Sequence, residues 1–398
     1  LAEPGRRIVG TAVAVVSGLL GLFLVARILG SAPIDLDVYR GGGAAVLAGH
    51  PVYAGPVSRG LLFTYPPFAA LLFTPLAVLP AAVYKGAFLI LNCALLVLVA
   101  WRSWRVVAGW GGGLLAVAAL ATAATVMITE AVRSDLAVGQ INLVLLALIV
   151  LDLTGREDRP WRGVGVGIAA GIKLTPLIFV VYLLAVRRFR AAAVAAGTFV
   201  GTILLGFAIP GGSSVYWLGG RFANTGTIYF DMASRHNQSI RGLLLRNGLP
   251  DAVWMVAAAV VAVATLVVAA RAARRGWPLL AVTLCGMCAA AVSPWSWGHH
   301  WVWVLPLAVL AAERVIVSAG RTPWWAILLL LPFTLPRVRE LADPLDGHGA
   351  PVFPSGPIAL FLGNTYLWLF VTALVLGFLE TVRKPPVAAE VIGCRRAA

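Results

Sequence analysis

Residues 8–29 read IVGTAVAVVSGLLGLFLVARIL, and the chain then turns polar at Ser31 and carries Asp35-Leu-Asp-Val-Tyr39. The first stretch matches the roughly 20 apolar residues that carry a helix across a bilayer. It is longer than the roughly 7–15-residue core of a cleaved signal peptide, so it is read as a retained first span. Comparable runs recur at 81–100, 107–128, 141–154, 191–209, 252–270, 278–292, 301–312, 323–335 and 357–379. Composition agrees: 60% of residues are hydrophobic and 12% charged, with a mean hydropathy of +0.91. A soluble domain carries about 25% charged residues. Backbone groups in lipid must be satisfied internally, and the period-2 alternation of a membrane barrel is absent, so an all-α polytopic membrane protein is expected.

The net charge of +15 raises the question of nucleic acid. The arginines argue against that partner. They sit in short runs between apolar segments: Arg6-Arg7, Arg102 with Arg105, Arg187-Arg188 with Arg190, Arg271 with Arg274-Arg275, and Arg395-Arg396. That is the distribution of cytoplasmic loops. Fixing those runs inside gives about twelve spans with both termini cytoplasmic. It also requires residues 163–186 to be a hairpin of two short helices, because both flanks are basic, with Lys173-Leu-Thr-Pro176 at the outer apex. The apolar piece Phe68–Leu79 is short and reads as re-entrant or interfacial. One domain spans 1–398. Residues 30–80 form the first outer loop with interfacial helices, 210–250 a long outer loop, and 380–398 a basic cytoplasmic tail. Gly163-Val-Gly-Val-Gly167 follows no strand and reads as a small-residue packing face. Cys285 and Cys288 lie inside an apolar run and read as buried small residues.

Polar residues sort unevenly under this topology. Inner loops are short and basic. The outer side collects Asp35, Asp37, Tyr39, Arg40, Tyr65, Glu130, Arg133, Gln140, Asn142, Lys173, His236, Asn237, Gln238, Arg241, Trp297, His299 and His300. Ionisable groups beside hydrocarbon are costly and mark function, so one extracytoplasmic site is expected. Asp35 and Asp37 both read as candidate general bases at the membrane surface, and His299 as another candidate base or hydrogen-bond donor. Each also has a plainer reading: solvated acids for the aspartates, and interfacial histidines beside Trp295, Trp297, Trp301 and Trp303. Lys173, Arg133 and Arg241 are candidate phosphate ligands, with Glu130 as an ion-pair partner. Gln140 and Asn142 read either as helix caps or as sugar ligands. The site is expected to work without a cofactor. A divalent ion between Asp35 and Asp37 is a less favoured alternative.

Taken together, Asp35-Leu-Asp-Val-Tyr39, Tyr65-Pro-Pro-Phe68, Gly139-Gln-Ile-Asn142, Gly171-Ile-Lys-Leu-Thr-Pro176 and Asn237-Gln-Ser239 resemble, in order, the GT87 family of GT-C membrane glycosyltransferases. The resemblance covers nearly the whole chain and aligns the family's first-loop aspartate with Asp35, which implies Asp35 as the base and ranks Asp37 second. It implies an inverting enzyme in the plasma membrane. The donor would be polyprenyl-phosphate-mannose, the acceptor a phosphatidylinositol mannoside glycolipid, and the new bond α-1,2. Alternatives are a relative acting on lipomannan or lipoarabinomannan, or one using decaprenyl-phosphate-arabinose. A transporter or flippase of lipid-linked sugars is the alternative from another class. Against it stand the lack of a clear inverted repeat and of charged residues at midmembrane positions.

Overall fold

The computed structural model describes residues 3–224, 231–317, 325–328, 331 and 357–382. The expected span at 323–335, the loop after it and most of the basic tail lie outside these residues or at their edge.

Helix α1 (Glu3–Leu29) runs into the polar stretch, where a loop with interfacial helices was expected. The chain there folds as α2 (Ile34–Leu47), a β1–β2 hairpin (Pro56–Ser58 with Leu61–Leu62), and, across the expected interfacial piece 68–79, two short helices, α3 (Pro67–Leu72) and α4 (Thr74–Val78). The three glycines that make 41–43 look loop-like let α2 pack closely on three neighbours. A Cβ on Gly41 would lie 2.4 Å from the Val57 carbonyl oxygen, one on Gly42 2.5 Å from the Phe63 ring, and one on Gly43 2.4 Å from the Phe73 carbonyl oxygen.

Then come α5 (Ala81–Ala108), α6 (Gly112–Val126) and α7 (Glu130–Val138), the last bent by 81° from α6. The expected loop at 130–140 is therefore mostly helix. Thr129 caps its start, and Gly139 ends it in the left-handed conformation at φ +72°. Next are α8 (Asn142–Leu153), α9 (Val164–Ile172), α10 (Ile178–Ala185) and α11 (Phe189–Gly206). The further helices among the described residues are α12 (Ile240–Arg246), α13 (Asp251–Arg274), α14 (Pro278–Val292), α15 (Val304–Val317), α16 (Pro357–Leu362) and α17 (Thr365–Val382). The fold is nearly all α-helical.

Residues 163–186 form a hairpin. Gly163 abuts Ala191, Gly167 abuts Ala195 and Thr198, and Gly171 abuts Thr202, so α9 runs parallel to α11. These glycines recur every fourth residue, and their shared face is what lets the two backbones meet. The chain reverses after α10 at Arg187, and both flanks of the hairpin meet there. Arg188 pairs with Glu157, and Arg190 donates to the carbonyls of Asp158 and Arg159. At the same end Arg102 donates to Thr154 at 3.0 Å. Arg275 and Arg314 both lie over the Trp277 ring. Trp104, near the end of α5, packs with Val309 in the middle of α15. Lys173, at the hairpin apex, lies at the opposite pole.

Among the described residues, five helices are long and apolar enough to cross a bilayer: 10–29, 81–108, 189–206, 251–274 and 365–382. Six result if the bent α6–α7 pair is one span. The expected tally of about twelve is not met by length, for a physical reason. Helix α8 has 12 residues and rises ~18 Å. Its Leu143, Leu146, Ile149 and Val150 are buried in protein, as is nearly every side chain of α14. Helices surrounded by other helices need not match the thickness of lipid.

Candidate functional site

Asp35 and Asp37 share the first turn of α2, but residues two apart on a helix point to nearly opposite sides. Asp37 turns to α5, where the Tyr84 hydroxyl donates to it at 2.6 Å and Lys85 lies at 3.6 Å, and Arg59 of the β1–β2 turn lies at 3.5 Å. It does not line the central cavity. Asp35 does. The two carboxylates therefore do not form a shared cation site. Among the described residues there is also no cluster of three His, Cys, Asp or Glu that could hold a metal.

Tyr39, one turn after Asp35, is fully buried and stacks on Phe73 at 4.4 Å. Its hydroxyl donates to Gln140 Oε1 at 2.8 Å and lies 3.0 Å from the Tyr65 hydroxyl. The Gln140 amide in turn donates to Tyr65 at 3.2 Å and to Asp35. The tight Gly139 turn between α7 and α8 places Gln140 here, and a Cβ on Gly139 would collide with Leu36 of α2 at 2.7 Å. Burial pushes the Asp35 carboxyl above its usual range, while the Gln140 amide and the Lys173 charge pull it back.

Asn142 opens α8 and ties three elements together. Its Nδ2 donates to Asp135 Oδ1 at 2.8 Å and to the His299 carbonyl at 3.0 Å, and its Oδ1 accepts from Lys173 Nζ at 3.1 Å. Lys173 also lies 3.1 Å from His300 Nε2 and over the Tyr65 ring at 5.8 Å. Burial brings the Lys173 ammonium down to about 8, against the opposing pull of Asp135 and Asp35. Burial and the Lys173 charge lower His299 to about 3 and push His300 well below its ordinary value. Both rings are therefore neutral at pH 7, and His300 accepts from Lys173. His299 Nε2 is buried with no hydrogen-bond partner among the described residues.

Asp35, Gln140, Lys173, His299 and His300 line a cavity of about 760 Å³, large enough for a sugar and part of a lipid, while the expected site residues Tyr39 and Asn142 are buried behind it and hold these groups in place. Tyr65, Glu130, His236 and Trp297 line it as well. Trp297 packs near the rings of both His236 and His299, with centroids 5.9 and 6.1 Å away. Glu130 accepts from the Tyr366 hydroxyl and packs on Gly298 so closely that a Cβ there would fall 2.2 Å from its carboxylate.

Five other expected site residues lie elsewhere. Arg40 donates to the Ala77 carbonyl at 3.3 Å and covers the Tyr84 ring. Arg241 is held by Asp251 at 2.6 Å and lies over Trp254. Arg133 does not line the cavity. Asn237 and Gln238, both fully buried, pin their segment to the loop before His299: Asn237 Oδ1 accepts from Ser296 N at 3.1 Å, and Gln238 N donates to the Ser296 carbonyl at 2.7 Å. They position the site without lining it.

Asp135 and Arg221 were missed. Asp135 is fully buried beneath Asn142. Its signal was an acid inside the short Glu130–Gln140 segment. Arg221 lines the cavity. Its signal was an isolated arginine in the 210–250 stretch expected as an outer loop, away from every basic run.

A profile described as Glycosyltransferase family 87 matches residues 63–294. A Mycobacterium tuberculosis protein named polyprenol-phosphate-mannose-dependent alpha-(1-2)-phosphatidylinositol mannoside mannosyltransferase is 34% identical over 77% of each chain. Its counterpart of the same name from Mycolicibacterium smegmatis is 34% identical over 90% of this chain and 87% of its own. A second M. tuberculosis relative, named for a phosphatidylinositol pentamannoside, is 34% identical over 78% of this chain and 74% of its own.

Proposed function

This chain belongs to glycosyltransferase family 87, and from that premise we propose that it moves mannose from polyprenyl-phosphate-mannose to a phosphatidylinositol mannoside, forming an α-1,2 bond. The observation that carries the catalytic assignment is Asp35. It is the carboxylate on α2 that faces the cavity, with Gln140 fixing it and Lys173 beside it.

Asp35 accepts the proton of the acceptor hydroxyl as that oxygen attacks the anomeric carbon of the donor. The new carbon–oxygen bond forms as the bond to phosphate breaks, and polyprenyl phosphate leaves with the electron pair. A β-linked donor thus gives an α-linked product. Inversion needs one base and no covalent enzyme intermediate. Phosphate leaves without a proton, so no general acid is required. The elevated but Lys173-restrained carboxyl suits a base at neutral pH. His299, lowered to about 3, is too weak a base and offers its unpartnered Nε2 to a substrate hydroxyl instead. Trp297 and His236 provide flat faces for a sugar ring. The reaction invokes no metal or other cofactor.

The pH profile of mannosyl transfer from polyprenyl-phosphate-mannose to a phosphatidylinositol mannoside tests this reading. Activity should rise as Asp35 ionises. Removing the lysine charge raises Asp35 further, so Lys173→Gln should shift this limb to higher pH. No transfer by the wild-type protein, or an unchanged profile in the variant, would sink the assignment.

The same reading places about twelve membrane segments in the plasma membrane, with both termini cytoplasmic and the cavity outside. Its support is the gathering of basic clusters at the pole opposite Lys173. A cysteine at exposed Ala54, beside the cavity, should react with an impermeant maleimide in intact cells, and one at exposed Arg156 only after permeabilisation. The reverse pattern would invert the topology.

A further inference from the structure

Resting on the mannosyltransferase reading, we infer that Arg221, and not Lys173, holds the phosphate of the lipid-linked donor, and that the polyprenyl chain leaves the cavity past Leu61, Leu62 and Phe222. Arg221 opens a short 3-10 turn after Gly220, whose φ is +72°. Its guanidinium lies over the Tyr53 ring at 5.0 Å. Its Nε and Nη2 are buried, yet neither has a hydrogen-bond partner among the described residues. Burying charged donors without acceptors is costly, and an arriving anion removes that cost. The planar fork of the guanidinium matches two phosphate oxygens at once.

Lys173 is differently placed. Asn142 and His300 already engage its ammonium. Asp35 and Asp135 lie near enough to act on its charge, and they would repel a phosphate there. Geometry separates the two cations further. Tyr53, Phe63 and Tyr65 form a row with successive ring centroids 6.2 and 5.8 Å apart. Arg221 covers the Tyr53 end and Lys173 the Tyr65 end. Asp35 belongs to the Lys173 end. Inverting displacement puts the base and the leaving group on opposite sides of the anomeric carbon. Asp35, Lys173 and Arg221 all line the cavity, so with Asp35 at one end the sugar lies between it and Arg221, where the phosphate is held. Beyond it, Leu61, Leu62 and Phe222 line the cavity, and Leu61, Phe222 and nearby Leu218 are exposed. A lipid chain continuing from the phosphate stays in apolar contact there.

Binding without turnover tests this. In purified protein, the affinity for a short-chain polyprenyl phosphate is compared with that for the corresponding polyprenol. The wild type should prefer the phosphate. Arg221→Gln should lose that preference and raise the donor KM about 10- to 100-fold, the effect of a hydrogen bond to a charged group, with little change in the acceptor KM. Arg221→Lys should restore part of it, because it keeps the charge and loses the fork. An Arg221→Gln protein that still prefers the phosphate as wild type does would overturn the proposal. So would loss of the preference in Lys173→Gln alone. Absence of mannosyl transfer by wild type would instead remove the function on which the inference rests, so the two failures are distinguishable.

Discussion

Asp35→Asn should lower kcat/KM for mannosyl transfer by about 1,000-fold while leaving the protein folded, the upper-middle range for removing a general base. The amide has nearly the shape of the carboxylate and can still bond to Gln140, so the site keeps its form. It cannot take a proton from the acceptor. About 1,000-fold corresponds to roughly 4 kcal/mol of transition-state stabilisation. Asp37→Asn is the control. Its partners are Tyr84, Arg59 and Lys85, outside the cavity, so it should cost stability more than rate. Comparable losses of turnover in the two variants at equal thermal stability would remove the distinction between the aspartates. Activity near the wild-type level in Asp35→Asn would remove the base.

Gly43→Ala should be a severely damaging small change outside the cavity. Its new methyl would lie 2.4 Å from the Phe73 carbonyl oxygen, 2.6 Å from the Phe73 carbonyl carbon and 2.9 Å from the Thr74 amide nitrogen. All three are backbone atoms and cannot rotate away, so α2 must lift from the α3–α4 junction. Overpacking of this kind costs about 3 kcal/mol. The lift also acts at a distance, because Asp35 rides on the same helix. A shift of about 1 Å in a catalytic group costs on the order of 100-fold in rate. A lowered melting temperature together with lost transfer is the expected result. A variant that melts and turns over like wild type would contradict the packing described for α2.

These two residues also mark what the sequence made legible. Hydropathy and charge sidedness gave the membrane class and the 163–186 hairpin, because lipid imposes length and loop charge on spanning helices. Helix α2 was hidden. Three consecutive glycines ordinarily disfavour a helix, and only the approach of Val57, Phe63 and Phe73 shows why they suit one here. Helices α8 and α14 look short as spans because protein, not lipid, surrounds them.

The site was partly readable for the same reasons. Sorting polar residues by side found Asp35, Gln140, Asn142, Lys173 and His299, which the fold brings together. It also gathered Asp37 and Arg241, which ion pairs hold elsewhere. Sequence shows that a charge exists but not whether a neighbour already satisfies it. Arg221 illustrates the converse: an arginine with no special context becomes notable once its buried donors lack partners. The division between Asp35 and His299 likewise depended on burial, which weakens the histidine as a base and strengthens the carboxylate.

The most direct measurement of the central claim is the stereochemistry of one turnover. Purified protein is given β-linked polyprenyl-phosphate-mannose, labelled at the anomeric carbon, and a phosphatidylinositol mannoside acceptor, and the product is resolved by NMR. An α-1,2-linked mannose on the acceptor, released with one equivalent of polyprenyl phosphate, is the result this account predicts. A β-linked product, or intact donor recovered after incubation with protein of proven fold, would contradict it.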